Sequence, residues 1–251
     1  MEIFAKTEIG NVRVVNQDCV QYLKKNENEC LTVLCDGMGG HNAGEVASSL
    51  ACEAILAEYR NHNLFINADE IHSWMIDAIN HAHHKIYEKS QTDPQFEGMG
   101  TTVVLALIKD DVLYVSHVGD SRAYFYDYKE LYQLTKDDTL VNALVDSGTI
   151  TQEEAMYHPQ KNILLQAVGV SDVLKISFTS KKLNNEIILL CSDGLYNSLT
   201  DKQIKEFLHM QKSIEEIGIK LMTAANIFGG RDNIGFILIK NKGVVKDESN
   251  E

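Results

Sequence analysis

Acidic residues stand repeatedly beside glycine where apolar, strand-like runs of this chain begin or end. Leu31 to Cys35 leads into Asp36-Gly37, and Val115 to Val118 leads into Gly119-Asp120. Ile187 to Cys191 leads into Ser192-Asp193-Gly194, and Gly229-Gly230-Arg231-Asp232-Asn233 comes just before the apolar run 234–239. Carboxylates brought to strand ends from distant parts of a chain are how a fold gathers oxygen ligands around a hard divalent cation. The pattern points to a metal-dependent hydrolase.

Each motif also has an ordinary reading. Asp-Gly between apolar runs is usually a hairpin turn. Here, however, Met38-Gly39-Gly40-His41 and a helical pattern follow Asp36-Gly37, and clustered glycines let a backbone approach something closely. A dinucleotide loop would need a third glycine where Asn42 stands, and no GK[ST] follows, so neither nucleotide loop is supported. Gly98 to Thr102 alone reads as a strand entry with a bulge. Ser121-Arg122 alone says nothing. His81, His83 and His84 lie in a polar helical pattern and read as a solvated face rather than a metal site. Arg13, ahead of Asp18, reads by itself as a surface ion pair.

The elements that must position these residues follow from periodicity. A strand over 31–35 precedes a helix whose start carries Asn42 and Glu45 and whose apolar face is Val46, Ala47, Leu50, Ala51, Ala54 and Ile55. Asn67 and Glu70 open a second long helix facing inward through Ile71, Trp74, Met75, Ala78, Ile79, Ala82 and Ile86. Strands are expected over 101–108, 112–118, 123–126, 130–134, 186–191 and 234–240, and their short connections imply antiparallel pairing. Residues 136–175 interrupt them as a polar segment with short helices over 139–147 and 151–156, which suggests a surface flap. Late helices start at Thr200 and Ser213. An early and a late helix pair around antiparallel strands give an α+β, four-layer α-β-β-α sandwich of two central sheets. One domain over 1–240 is expected, with a charged, disordered tail over 241–251.

The bulk composition narrows the functional classes. The chain has 251 residues, 44% hydrophobic and 24% charged, with only 2 prolines and a formal net charge of -13. So acidic a protein is a poor partner for nucleic acid, which demands a cationic stripe, and for anionic membrane surfaces. The 5 cysteines form no CxxC pair, which fits a reducing compartment. With neither a signal-like start nor a long apolar run, a soluble, cytoplasmic protein is expected.

In sequence order the motifs are Arg13-Val-Val-Asn16-Gln-Asp18, Asp36-Gly-Met-Gly-Gly-His41-Asn-Ala-Gly44-Glu45, Gly98-Met-Gly-Thr-Thr102, Val118-Gly-Asp-Ser-Arg122, Ser192-Asp-Gly-Leu195 and Gly230-Arg-Asp-Asn233. As a set they resemble the bacterial branch of the metal-dependent type 2C (PPM) serine/threonine protein phosphatases over residues 1 to 240. The resemblance implies hydrolysis of phosphoserine and phosphothreonine by a hydroxide held on two Mn²⁺ or Mg²⁺ ions. It implies that Asp36 bridges the two ions, that the Gly37 carbonyl binds one, and that Asp193 and Asp232 complete the protein ligands. Asp120 resembles the ligand of a third, weaker ion, Asp18 a partner of the bound water, and Arg13 the phosphate clamp. The proton donor is less defined: eukaryotic members often place His after the Asp-Gly, this chain has Met38, and His41 is the nearest candidate. Members also commonly carry an Asp-His-Ser triplet in the flap, where this chain has Asp137-Asp138-Thr139. The implied partners are phosphorylated proteins and a serine/threonine kinase of the same cell, with the phosphatase a monomer. A phosphoprotein-binding pseudophosphatase and a phosphatase of small phosphometabolites are the alternatives.

Overall fold

A computed structural model describes residues 1–40 and 43–241. His41, Asn42 and the tail 242–251 lie outside the described residues, and with them the Asn42 helix start and the tail expectation. In chain order the elements are β1 (Glu2–Glu8), β2 (Asp18–Asn26), β3 (Glu29–Met38), α1 (Ala43–Asn61), α2 (Ala68–Ser90), β4 (Gly100–Thr101), β5 (Val103–Lys109), β6 (Val112–Val118), β7 (Arg122–Tyr126) and β8 (Leu131–Gln133). There follow α3 (Leu140–Asp146), α4 (Gln152–Tyr157), β9 (Ser177–Lys182), β10 (Ile187–Cys191), α5 (Asp193–Tyr196), α6 (Asp201–Leu208), α7 (Ile214–Phe228) and β11 (Ile234–Lys240).

The strands make two antiparallel sheets. One runs β1-β11-β10-β7-β8 and the other β2-β3-β5-β6-β9, with β4 paired to β3. Period-two alternation sorts the side chains into three apolar layers. Leu31, Val33, Cys35, Leu105 and Leu107 face α1 and α2. Their neighbours Leu34, Val104, Ala106 and Ile108 meet Ala123, Phe125, Ile188, Leu190, Ile237 and Ile239 between the sheets. Leu189, Cys191, Phe236 and Leu238 face α6 and α7. Central strands buried on both faces read as continuous apolar runs, whereas antiparallel strands with one wet face alternate. The four-layer α-β-β-α expectation is borne out.

Helix starts agree with their sequence signals. Asn67 caps α2 by accepting from the Glu70 amide. Reciprocal capping boxes close at Thr151–Glu154, Thr200–Gln203 and Ser213–Glu216. Two expectations need correction. The strand expected over 101–108 is interrupted at Thr102: β4 and β5 both pair with β3 in one register, Gly37 opposite Thr101 and Leu34 opposite Val104, but between them the Asp36 amide donates to the Thr102 hydroxyl in place of a backbone carbonyl. Asp36-Gly37 does not follow a finished strand either, since β3 continues to Met38. Strands β1, β2 and β9, for which no expectation was formed, are sheet edges with mostly half-buried side chains, so their periodicity is weak.

Ile237 is fully buried between the sheets, away from the strand ends that carry the acidic residues. Ile237→Ala should cost about 2–5 kcal/mol in urea unfolding, the usual penalty for a core cavity, with an unchanged denaturant slope. A loss below about 1 kcal/mol would show that the layer between the sheets repacks freely.

Candidate active site

Asp36 lies on β3 directly opposite Asp18 on β2. Its backbone is pinned from three sides. The Thr102 hydroxyl accepts from the Asp36 amide at 3.0 Å, the Thr101 hydroxyl donates to its carbonyl at 2.9 Å, and the Thr102 amide donates to the same carbonyl at 2.9 Å. Thr102 is the residue that separates β4 from β5. Gly37 permits the next step: a Cβ there would lie 2.0 Å from the Gly44 carbonyl oxygen, so α1 packs this closely against β3 only beside a glycine.

Asp18 is buried, and the Ser192 hydroxyl donates to its Oδ2 at 2.6 Å. Its Oδ1 is buried with no hydrogen-bond partner. Asp193 opens α5 immediately after β10 and accepts from the Asn197 side chain at 3.2 Å. Asp120 sits between β6 and β7, its carbonyl accepting from the Tyr196 hydroxyl at 3.1 Å. Asp232 precedes β11 and accepts from Arg13 Nη2 at 2.7 Å. The Arg13 loop is fixed by Asn233, whose Nδ2 donates to the Ile9 and Val15 carbonyls at 3.0 Å each and whose Oδ1 accepts from the Gln17 amide at 2.8 Å.

These carboxylates feel one another. Burial pushes Asp18 up to about 7, against the Ser192 hydrogen bond that opposes the rise. Burial and the charges of Asp120, Asp232 and Asp18 push Asp193 up to about 8. Burial and Asp137 push Asp120 up to about 6. Asp36 is raised well above the carboxylate range by burial and then by Asp18, Asp193, Asp120 and Asp232. Arg13 is raised in turn, chiefly by its hydrogen bond to Asp232. Such mutual repulsion without matching cations is the signature of a site made for positive charge.

The residues fit divalent cations on this ground and on the unpartnered Asp18 oxygen. Among the described residues no three carboxylate, imidazole or thiol groups close on a single point as a cage would. Hard ions do not need that, because they keep several waters and bind through few protein oxygens. Asp193 and Asp232 line an open cavity of about 410 Å³ with Lys161, Asn162, Phe228 and Arg231. Asp120 lines a neighbouring cavity of about 380 Å³ with Arg122, Lys161 and Tyr196.

The structure brings Arg13, Asp18, Asp36, Gly37, Asp120, Asp193 and Asp232 into this one region, while His41 lies outside the described residues. Arg13 pairs not with a nearby surface acid but with Asp232, far along the chain. The histidine expectation is partly corrected: His81 pairs with Glu58 on α1, and His83 Nδ1 accepts from the Gly169 amide at 2.9 Å. Thr101, Ser192 and Asn233 were legible only as motif members, since their partners are distant in sequence. Arg122, uninformative by sequence, forks onto Asp137, with Nη2 to Oδ2 at 2.7 Å, and lies 3.6 Å from the centre of the Tyr196 ring.

The protein phosphatase 2C model matches residues 11–224. The chain belongs to the protein phosphatase 2C family. It is 35% identical over 236 residues to the serine/threonine phosphatase stp of Listeria monocytogenes, covering 94% of each chain. It superposes on the serine/threonine phosphatase Stp1 of Staphylococcus aureus with a TM-score of 0.90 and 37% identity, over 96% of this chain and 95% of that one. The catalytic domain of the phosphatase PstP, solved in complex with 2 manganese ions, matches with a TM-score of 0.80 and 33% identity over 94% and 96% of the two chains. The reading of the ordered motifs as a bacterial type 2C serine/threonine phosphatase is borne out. No helix among the described residues is long and apolar enough to cross a membrane.

The raised carboxylates make the metal-free protein's stability pH-dependent. An unfolded Asp titrates near about 3.9, whereas folded Asp193 titrates at about 8. The folded chain therefore holds the proton longer, and its contribution is complete below about pH 4 and lost as pH rises through about 8. Thermal melts of metal-free wild type and Asp193→Asn should converge at acid pH, with wild type falling progressively below the variant towards pH 8.5. Parallel curves across that range would contradict the crowding.

Proposed function

We propose that this protein is a metal-dependent serine/threonine protein phosphatase that removes phosphate from phosphoserine and phosphothreonine of other proteins. The observation that carries the reading is the convergence of Asp18, Asp36, Asp120, Asp193 and Asp232 around an arginine at the cleft edge, with the buried Asp36 and Asp193 raised by burial and by their acidic neighbours. Asp36 would bridge two divalent ions, Mn²⁺ or Mg²⁺, the Gly37 carbonyl would bind one of them, and Asp193 and Asp232 would complete the protein ligands. Asp120, with Asp193, would hold a third and weaker ion. When bound, such ions supply Lewis acidity, making water a nucleophile near neutral pH and neutralising charge on the phosphoryl oxygens.

The chain's own residues do the rest. Arg13 presents a planar fork that matches two phosphate oxygens, which a lysine would not. Its bond to Asp232 keeps that fork at the cleft and half exposed. Asp18, held by Ser192 with one oxygen unpartnered, would accept a hydrogen bond from the attacking water and orient it. Attack in line with the ester oxygen expels the serine or threonine alkoxide, whose proton would come from His41 or from solvent. The metal-free crowding of carboxylates argues against a binding-only pseudophosphatase, which would have no need to keep it. We further propose one catalytic domain over 1–240 with residues 136–175 as its flap, acting as a cytoplasmic monomer against a serine/threonine kinase of the same cell.

Hydrolysis of para-nitrophenyl phosphate and of a phosphothreonine peptide should require added Mn²⁺ or Mg²⁺. Asp36→Asn should lower kcat by at least about 10²–10³-fold, the scale of removing a principal transition-state stabiliser. Turnover in a chelator, or an Asp36→Asn enzyme of wild-type rate, would overturn the proposal. In Arg13→Ala the loss should appear in both KM and kcat, because the clamp binds the phosphate before and during transfer.

A further inference from the structure

Asp138 occupies the triplet position at which this family commonly has histidine, and it makes contacts that a histidine could not reproduce. Its Oδ2 accepts from the Gly119 amide at 2.9 Å and from Gln166 Nε2 at 2.7 Å. Its own amide donates back to the Gly119 carbonyl at 3.0 Å, and its carbonyl accepts from the Leu165 amide at 2.8 Å. Gln166 extends the link: its Nε2 also donates to the Lys175 carbonyl at 2.9 Å, and its Oε1 accepts from the Lys175 amide at 2.8 Å. One carboxylate thus joins the start of segment 139–175, its return and the turn that precedes Asp120. An imidazole nitrogen can accept one hydrogen bond, and a protonated ring none, whereas a carboxylate oxygen accepts two.

The turn so held leaves no slack. Gly119 has φ of +100°, and a Cβ there would lie 2.7 Å from Thr102 Cγ2. Thr102 is the residue whose hydroxyl accepts from the Asp36 amide. The covalent neighbour Asp120 is anchored on its other side by Tyr196. A displacement of the segment therefore reaches Asp120 through Gly119, and the approach of Gly119 to Thr102, too tight for any side chain there, extends the path towards Asp36.

We propose that Asp138 is a positioning residue that latches both ends of segment 139–175 to the Gly119 turn and thereby sets the place of Asp120. The effect on metal rests on the reading of Asp120 as a ligand given above; the latch itself does not.

Hydrogen exchange by mass spectrometry on the full, metal-free chain tests the latch without any turnover. In Asp138→Ala, peptides covering 118–121 and 164–176 should exchange roughly tenfold faster or more, the equivalent of losing one charge-assisted hydrogen bond, while β5 and β10 stay protected. Asp138→Asn, which keeps an acceptor oxygen, should recover much of the protection, and Asp138→His should not. Gln166→Ala is the milder variant and should loosen 172–176 while leaving 118–121 protected. With Mn²⁺ added, the concentration for half-maximal activity should rise several-fold in Asp138→Ala, with kcat at saturation largely restored. Unchanged exchange at 118–121 in Asp138→Ala, or Asn rescuing no better than His, would overturn the latch. A wild-type chain with no metal-dependent phosphatase activity would instead sink the proposed function and leave the exchange result standing.

Discussion

Electrostatic repulsion among buried carboxylates is the constraint around which the rest of this structure is arranged. Asp18 and Asp36 are cross-strand partners, the position at which like charges disfavour a sheet. Asp120, Asp193 and Asp232 are added from three other strand connections. Left to itself the cluster expels negative charge: Asp18, Asp36, Asp120 and Asp193 take up protons above the usual carboxylate range, and Arg13 is drawn onto Asp232. A fold can maintain such a cluster only if stability comes from elsewhere. Here it comes from three apolar layers that run through both sheets.

The scaffolding of the cluster is mostly neutral and mostly backbone-directed. Thr101 and Thr102 hold Asp36 by its peptide groups, Ser192 holds Asp18 by one oxygen, and Asn233 holds the Arg13 loop by three peptide groups. Neutral donors orient a carboxylate without discharging it, so the negative potential stays available to a cation. Arg122 is the exception that shows the rule. Its guanidinium forks onto Asp137 and lies over the Tyr196 ring, fixing the wall beside Asp120, and its charge only partly offsets the burial and the Asp137 charge that raise Asp120.

Legibility in the sequence followed physical range. Doubly buried strands such as 103–109 and 234–240 announce themselves as apolar runs, and the capping boxes at Thr151, Thr200 and Ser213 need only residues three apart. The acidic residues were visible because each borders glycine beside such a run. Edge strands β1, β2 and β9 left no comparable trace, since half-burial dilutes their alternation. The partners of Ser192, Asn233 and Asp138 lie far along the chain, and nothing local encodes which distant group a hydroxyl, amide or carboxylate will meet. The break at Thr102 was hidden for a similar reason: there a side-chain hydroxyl takes the Asp36 amide, a partner 66 residues away.

The most direct test of the carboxylate crowding is the number of protons released when divalent ions bind. Calorimetric titration of the metal-free protein with Mn²⁺ at pH 7, in buffers of different ionisation enthalpy, measures that number. Asp193, at about 8, is largely protonated at this pH, and metal oxygen ligands must be ionised. Binding should therefore release protons, and the release should fall away as the titration is repeated towards pH 9. A binding heat independent of the buffer at pH 7 would contradict the picture of a protonated, mutually repelling cluster waiting for cations.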